Sequence, residues 1–67
     1  MQEKIVVNAA VCTKCNTLIT SKHDADYQEC HCRAIWIDGG YRWLHRGGEM
    51  QYFLDQSKKV YDNENTN

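Results

Sequence analysis

The 67-residue chain has no proline, no run of apolar residues long enough to span a bilayer, and almost no net charge. Eight lysines and arginines against nine aspartates and glutamates leave a formal charge of −1, which argues against gripping nucleic acid by bulk positive charge. The longest apolar runs, Ile5 to Val7 and Ala9 to Cys12, are separated by Asn8. They fall short of a transmembrane helix and of a signal-peptide core, so the expected compartment is the cytoplasm. A hydrophobic fraction of 42% is ordinary, and a chain this short hides too little surface to be stable through its core alone. Something must staple it, and without proline the four cysteines are the candidates.

Those cysteines form two close pairs. Cys12-Thr13-Lys14-Cys15 is a C-x2-C element, and after fourteen residues Cys30-His31-Cys32 is a C-x-C element. Two pairs converging across a loop suit a tetrahedral zinc ion held by thiolates at about 2.3 Å. In a reducing compartment disulfides are the weaker alternative, and iron in the same cage is weaker still. Knuckles of this kind need a positive φ just after the second cysteine, where Asn16 and Arg33 stand in place of glycine; asparagine tolerates that geometry better than arginine. His31 is an alternative ligand in place of a flanking cysteine, although four cysteines already fill a tetrahedron. His23 and His45 read as neighbours of the site. A closed four-thiolate site has no open position for water or substrate, so the expected protein is not an enzyme.

Along the chain, Lys4 to Val11 reads as a strand and Thr17 to Thr20 as its return, with Ser21 to Asp26 as a loop. Tyr27 to Cys30 and Arg33 to Ile37 read as strands flanking the second pair. Asp38-Gly39-Gly40 is a tight-turn signal, and Tyr41 to Arg46 the strand returning from it, broken by Gly47-Gly48. A three-residue loop there pairs Ile37 with Tyr41 and Ile35 with Trp43 over the core. Trp36, Arg42, Leu44 and Arg46 then share the opposite face, with Trp36 within cation–π reach of Arg42. From Glu49 to Tyr61 the apolar spacing favours a helix, against a competing strand through Met50, Tyr52 and Leu54. The expected fold is therefore a small metal-stapled α+β domain over 1–61, with zinc-ribbon-like β-hairpins, a C-terminal helix and a disordered tail at 62–67.

The segment from Val11 to Gly47, carrying Cys-Thr-Lys-Cys, Ser21-Lys22-His23, Cys30-His31-Cys32, Asp38-Gly39-Gly40 and Leu44-His45-Arg46-Gly47, resembles a family of very small zinc-ribbon-like proteins of bacteria and their phages. The resemblance implies a fold and such an origin, with the host cytoplasm as the compartment of a phage product. It transfers no catalytic residue. Two functions compete. A rigid ribbon with Trp36, Arg42, Leu44 and Arg46 on one face suits a protein-binding adaptor or modulator, because aromatic and arginine side chains dominate interface hot spots. Arg33, Arg42, His45 and Arg46 near Trp36 and Trp43 would alternatively suit a zinc-ribbon nucleic-acid-binding protein.

Overall fold

A computed structural model describes residues 2–62. Eight strands follow one another: β1 Gln2–Val7, β2 Ala9–Cys12, β3 Thr17–Thr20, β4 Gln28–Glu29, β5 Ile35–Asp38, β6 His45–Gly48, β7 Phe53–Asp55 and β8 Lys58–Asp62. One 3-10 turn, Met50–Tyr52, precedes β7. All pairing is antiparallel and falls into three small sheets, ordered β1-β8, β3-β2-β7 and β4-β5-β6.

The chain is thin, with extents of 47 × 21 × 14 Å. Its buried apolar residues among those described are Ala9, Ala10, Cys12, Ile19, Cys30, Ala34, Ile35 and Ile37. Only the three isoleucines are large, and two of the eight are cysteines of the close pairs. None of the aromatic side chains is fully buried. Such a core removes little apolar area from water, and one cysteine of each pair, Cys12 and Cys30, forms part of it.

Three sequence expectations are corrected. The C-terminal helix over Glu49–Tyr61 does not form: β7 and β8 occupy this stretch, so the domain is a β fold and not α+β. Its residues answer to partners distant in sequence. β7 pairs Phe53 with Cys12 and Leu54 with Val11, and the Thr13 N–H donates to the Tyr52 carbonyl at 2.9 Å, covering an otherwise open edge of the first cysteine hairpin. β8 then pairs with β1, where β-branched and aromatic residues such as Val60 and Tyr61 suit a strand. Of the proposed 62–67 tail, Asp62 is the last residue of β8, and 63–67 lie outside the described residues.

The strand expected over Lys4 to Val11 breaks at Asn8, which is fully buried. Its Nδ2 donates to the carbonyls of Asp38 at 3.0 Å and Gly40 at 2.9 Å, while its backbone carbonyl accepts the Ser21 N–H at 2.9 Å. Ser21, also buried, takes the Gly40 N–H on Oγ at 2.9 Å. One polar node thus ties the start of the chain to the turn after β5.

That node also moves the register after Asp38. Ile35, Trp36, Ile37 and Asp38 pair with Gly48, Gly47, Arg46 and His45, so the connection runs from Gly39 to Leu44 and is no three-residue turn. Ile35 and Ile37 do face the core and Trp36 does not. Gly47, expected to break the strand, is instead paired, and a Cβ there would lie 2.4 Å from the Trp36 ring. The missing side chain lets the indole lie flat across β6.

Candidate metal centre and aromatic face

The two cysteine pairs converge. All four Sγ atoms of Cys12, Cys15, Cys30 and Cys32 lie within 4.8 Å of one another, and both Cys12–Cys32 and Cys30–Cys32 are 3.7 Å apart. A disulfide needs about 2.05 Å, whereas the edge of a tetrahedron with ligands at about 2.3 Å is roughly 3.8 Å. The four cysteines are free and their spacing is that of ligands around a metal ion. These four residues could hold such an ion. His31 is exposed and lies outside this set, as do His23 and His45.

Local backbone explains the convergence. In the first knuckle the Asn16 N–H closes on the Cys12 carbonyl at 2.6 Å; in the second the Arg33 N–H closes on the Cys30 carbonyl at 3.0 Å. Both turns need the left-handed region at their last residue, and Asn16 has φ of 59° and Arg33 of 64°. The positions where sequence alone expected positive φ have it. For a long L side chain that geometry carries strain, and the ion pair of Arg33 to Glu29 at 3.9 Å lies at an exposed site. Arg33→Gly is accordingly expected to stabilise the folded protein by about 0.5–1 kcal/mol, read as a higher denaturation midpoint with unchanged slope.

Polar neighbours prepare the sulfurs unequally. The Thr17 hydroxyl, 3.1 Å from Cys15, is the largest influence bringing that thiol down to about 6, with the Cys32 N–H adding to it. At Cys32 the Ala34 N–H favours the thiolate, but desolvation and the three neighbouring sulfurs prevail and push the thiol up to about 12. Burial opposes ionisation of Cys30, yet the Ile35 N–H, 3.4 Å from its sulfur, helps to draw its thiol below the ordinary value. Four negative sulfurs this close repel one another, so a bound cation is what allows all of them to ionise together.

Behind the cage, the outer face of β4-β5-β6 carries a ladder of rings. Tyr27 stacks on Trp36 with centroids 5.5 Å apart, Trp36 meets His45 edge-on at 4.9 Å, and Trp43 lies parallel to His45 at 4.6 Å. Tyr27 and Trp43 remain 50% and 54% exposed. Glu29 stands opposite Trp36, and Asp38 opposite His45. The Tyr27 phenol is raised, first by desolvation and then by the charge of Glu29, with Asp38 adding to it.

The face expected from the sequence, Trp36 with Arg42, Leu44 and Arg46, is therefore not brought together. Trp36 has Tyr27 and His45 as neighbours instead of Arg42, which turns to Asp24 at 3.3 Å. Leu44 lies in the connection before β6, half-buried. Arg46 points the other way: its guanidinium lies 4.8 Å over the Phe53 ring and reaches Asp55 at 3.2 Å and the Ser57 hydroxyl at 3.1 Å. It clamps β6 to β7. We expect Arg46→Ala to destabilise by about 1–3 kcal/mol and Arg46→Lys to recover only part, both read from thermal melts, because an ammonium lacks the planar fork. Sequence reasoning missed Tyr27 and Glu29; the signal available was their two-residue spacing in a short strand beside Trp36.

Residues 4–48 match the model of a family described as a domain of unknown function (DUF7695). The chain belongs to this family. The match spans both cysteine pairs and the whole β4-β5-β6 sheet, and stops before β7 and β8. No curated protein and no solved structure matches the chain. Among the described residues, no helix is long and apolar enough to cross a membrane.

Proposed function

We propose that this chain is a zinc-stabilised, non-catalytic module that binds a protein partner through the aromatic ladder, as a bacterial or phage product working in the bacterial cytoplasm. The observation that carries this reading is the exposure of Tyr27 and Trp43, which flank the outer face of a sheet whose other face supplies Ile35 and Ile37 to the core. Rings held in contact with one another lose little freedom on binding, which is the property of a preorganised hot spot. Zinc is the metal of choice because four thiolates at tetrahedral spacing suit it and leave no position for water or substrate. Its chemistry there is to hold Cys12, Cys15, Cys30 and Cys32 together.

A nucleic-acid partner draws less support, since each arginine faces a carboxylate: Arg33 with Glu29, Arg42 with Asp24 and Arg46 with Asp55. The test pairs Tyr27→Ala with Trp43→Ala, two exposed positions, and compares cross-linked partners in growing and phage-infected bacteria. The double variant is expected to keep its metal and its melting temperature within a few degrees while losing the specific protein cross-link. Retention of that cross-link would sink the reading. Binding to labelled single strands or duplexes that weakens steeply with salt would favour nucleic acid instead.

A further inference from the structure

The protein-binding reading says that the ladder recognises something, and the charges around it say what kind of group. On the outer face of β4-β5-β6 the carboxylates Glu29 and Asp38 flank Tyr27, Trp36, His45 and Trp43. Among the described residues, neither carboxylate has an ion pair shorter than 3.7 Å. Glu29 accepts the Tyr27 hydroxyl on Oε2 at 3.3 Å and has Arg33 Nε at 3.9 Å from Oε1, with the arginine side chain 81% exposed. Asp38 receives the Gly39 N–H on Oδ1 at 2.8 Å and has His45 Nδ1 at 3.7 Å from Oδ2, an imidazole that carries charge only when protonated. The face therefore offers ring faces, which attract cations through their quadrupoles, beside carboxylates that hold neutral hydrogen-bond donors and only distant cations.

We propose that this face docks an arginine-bearing segment of the protein partner, the guanidinium lying over the exposed Tyr27 ring, which is stacked on Trp36, with Glu29 as its carboxylate. Arginine fits better than lysine because its plane stacks on an aromatic ring while its N–H groups still reach an acid at the rim. The proposal rests on the protein-binding reading and sharpens it to a partner chemistry. It also gives Arg33 a role, as the internal competitor that a stronger cation displaces from Glu29.

The test follows the two indole N–H resonances of the zinc-loaded protein during titration with a blocked Gly-Arg-Gly-Arg-Gly peptide, with lysine, glutamine and glutamate counterparts as separate arms. Both indoles should shift and saturate with the arginine peptide, less with lysine, and not with glutamine or glutamate. Glu29→Lys should weaken the arginine arm about tenfold without lowering the melting temperature, and Arg33→Gly should tighten it. Equal shifts with the glutamine peptide, no shift with the arginine peptide, or indifference to Glu29→Lys would each overturn the assignment. If the arginine arm fails while Tyr27→Ala with Trp43→Ala still abolishes the cellular cross-link, the protein-binding reading survives without the cationic partner. If an oligothymidylate moves the indoles and no peptide does, both fall.

Discussion

Stripping the metal from the purified protein with a strong chelator is expected to unfold it, with loss of strand signal and of the dispersed indole resonances, and adding zinc back should restore both. The reasoning begins with the size of the core. Three isoleucines and a few alanines cannot offset the ordering of some sixty residues, since each ordered backbone residue costs about 1–2 kcal/mol. Metal binding in small structural sites contributes about 10–16 kcal/mol, more than the 5–15 kcal/mol of net stability typical of whole domains at its lower end. Cys12 and Cys30 are themselves part of the buried set, so Cys12→Ser or Cys30→Ser removes a ligand and places a hydroxyl in the core. Either variant should appear unfolded and bind zinc weakly, whereas His31→Ala should retain one zinc per chain. Acid acts in the same direction. The ligands bind as thiolates, so protons compete more strongly as pH falls, and metal should be released together with the fold on acidification, never on moderate rise of pH. A metal-free protein that melts cooperatively at an unchanged temperature would contradict the whole account.

Gly40→Ala is expected to be the most damaging single change away from the metal. Gly40 has φ of 54°, and a Cβ there would lie 2.4 Å from the carbonyl carbon of His23 and 2.5 Å from its Cα and N. These are backbone atoms and cannot swing aside. The same residue donates to Ser21 Oγ and accepts from Asn8 Nδ2, so shifting the loop to relieve the clash would leave buried polar groups unpaired. Left-handed strain and the lost node together should cost about 3 kcal/mol or more, a fall of roughly 12–24 °C in Tm for a domain of this size. The comparison is made with zinc saturating, so that loss of metal does not mask the effect. Asn8→Ala should act through the same node and cost about 1–3 kcal/mol. A Gly40→Ala variant melting within a few degrees of the parent would show that the loop does not pack against His23.

Much of the metal centre was legible from spacing because it depends on local geometry. A C-x2-C and a C-x-C each bring two sulfurs near one point through a single turn, and the residue that closes the turn must take positive φ whatever its identity. Asn16 and Arg33 do so. The return strand Thr17–Thr20 and the inward alternation of Ile35 and Ile37 were readable for the same reason, since side-chain direction in a strand follows from parity alone.

Other parts depended on contacts no local pattern encodes. Met50, Phe53 and Leu54 have helical spacing, but β2 had an edge whose N–H and C=O groups needed partners, and pairing through Cys12↔Phe53 satisfied them where a helix would not. The Asp-Gly-Gly turn signal was overruled by a buried Asn8 some thirty residues earlier, which captures the Asp38 and Gly40 carbonyls and lengthens the connection to Leu44. That shift in register sent Arg46 to the core side and brought His45 beside Trp36, so the composition of the aromatic face was decided by tertiary packing. The partner of Ile37 moves from Tyr41 to Arg46, a five-residue shift that is odd and so exchanges the two faces of the returning strand as well as the pairs that meet, and meeting is what makes a binding face.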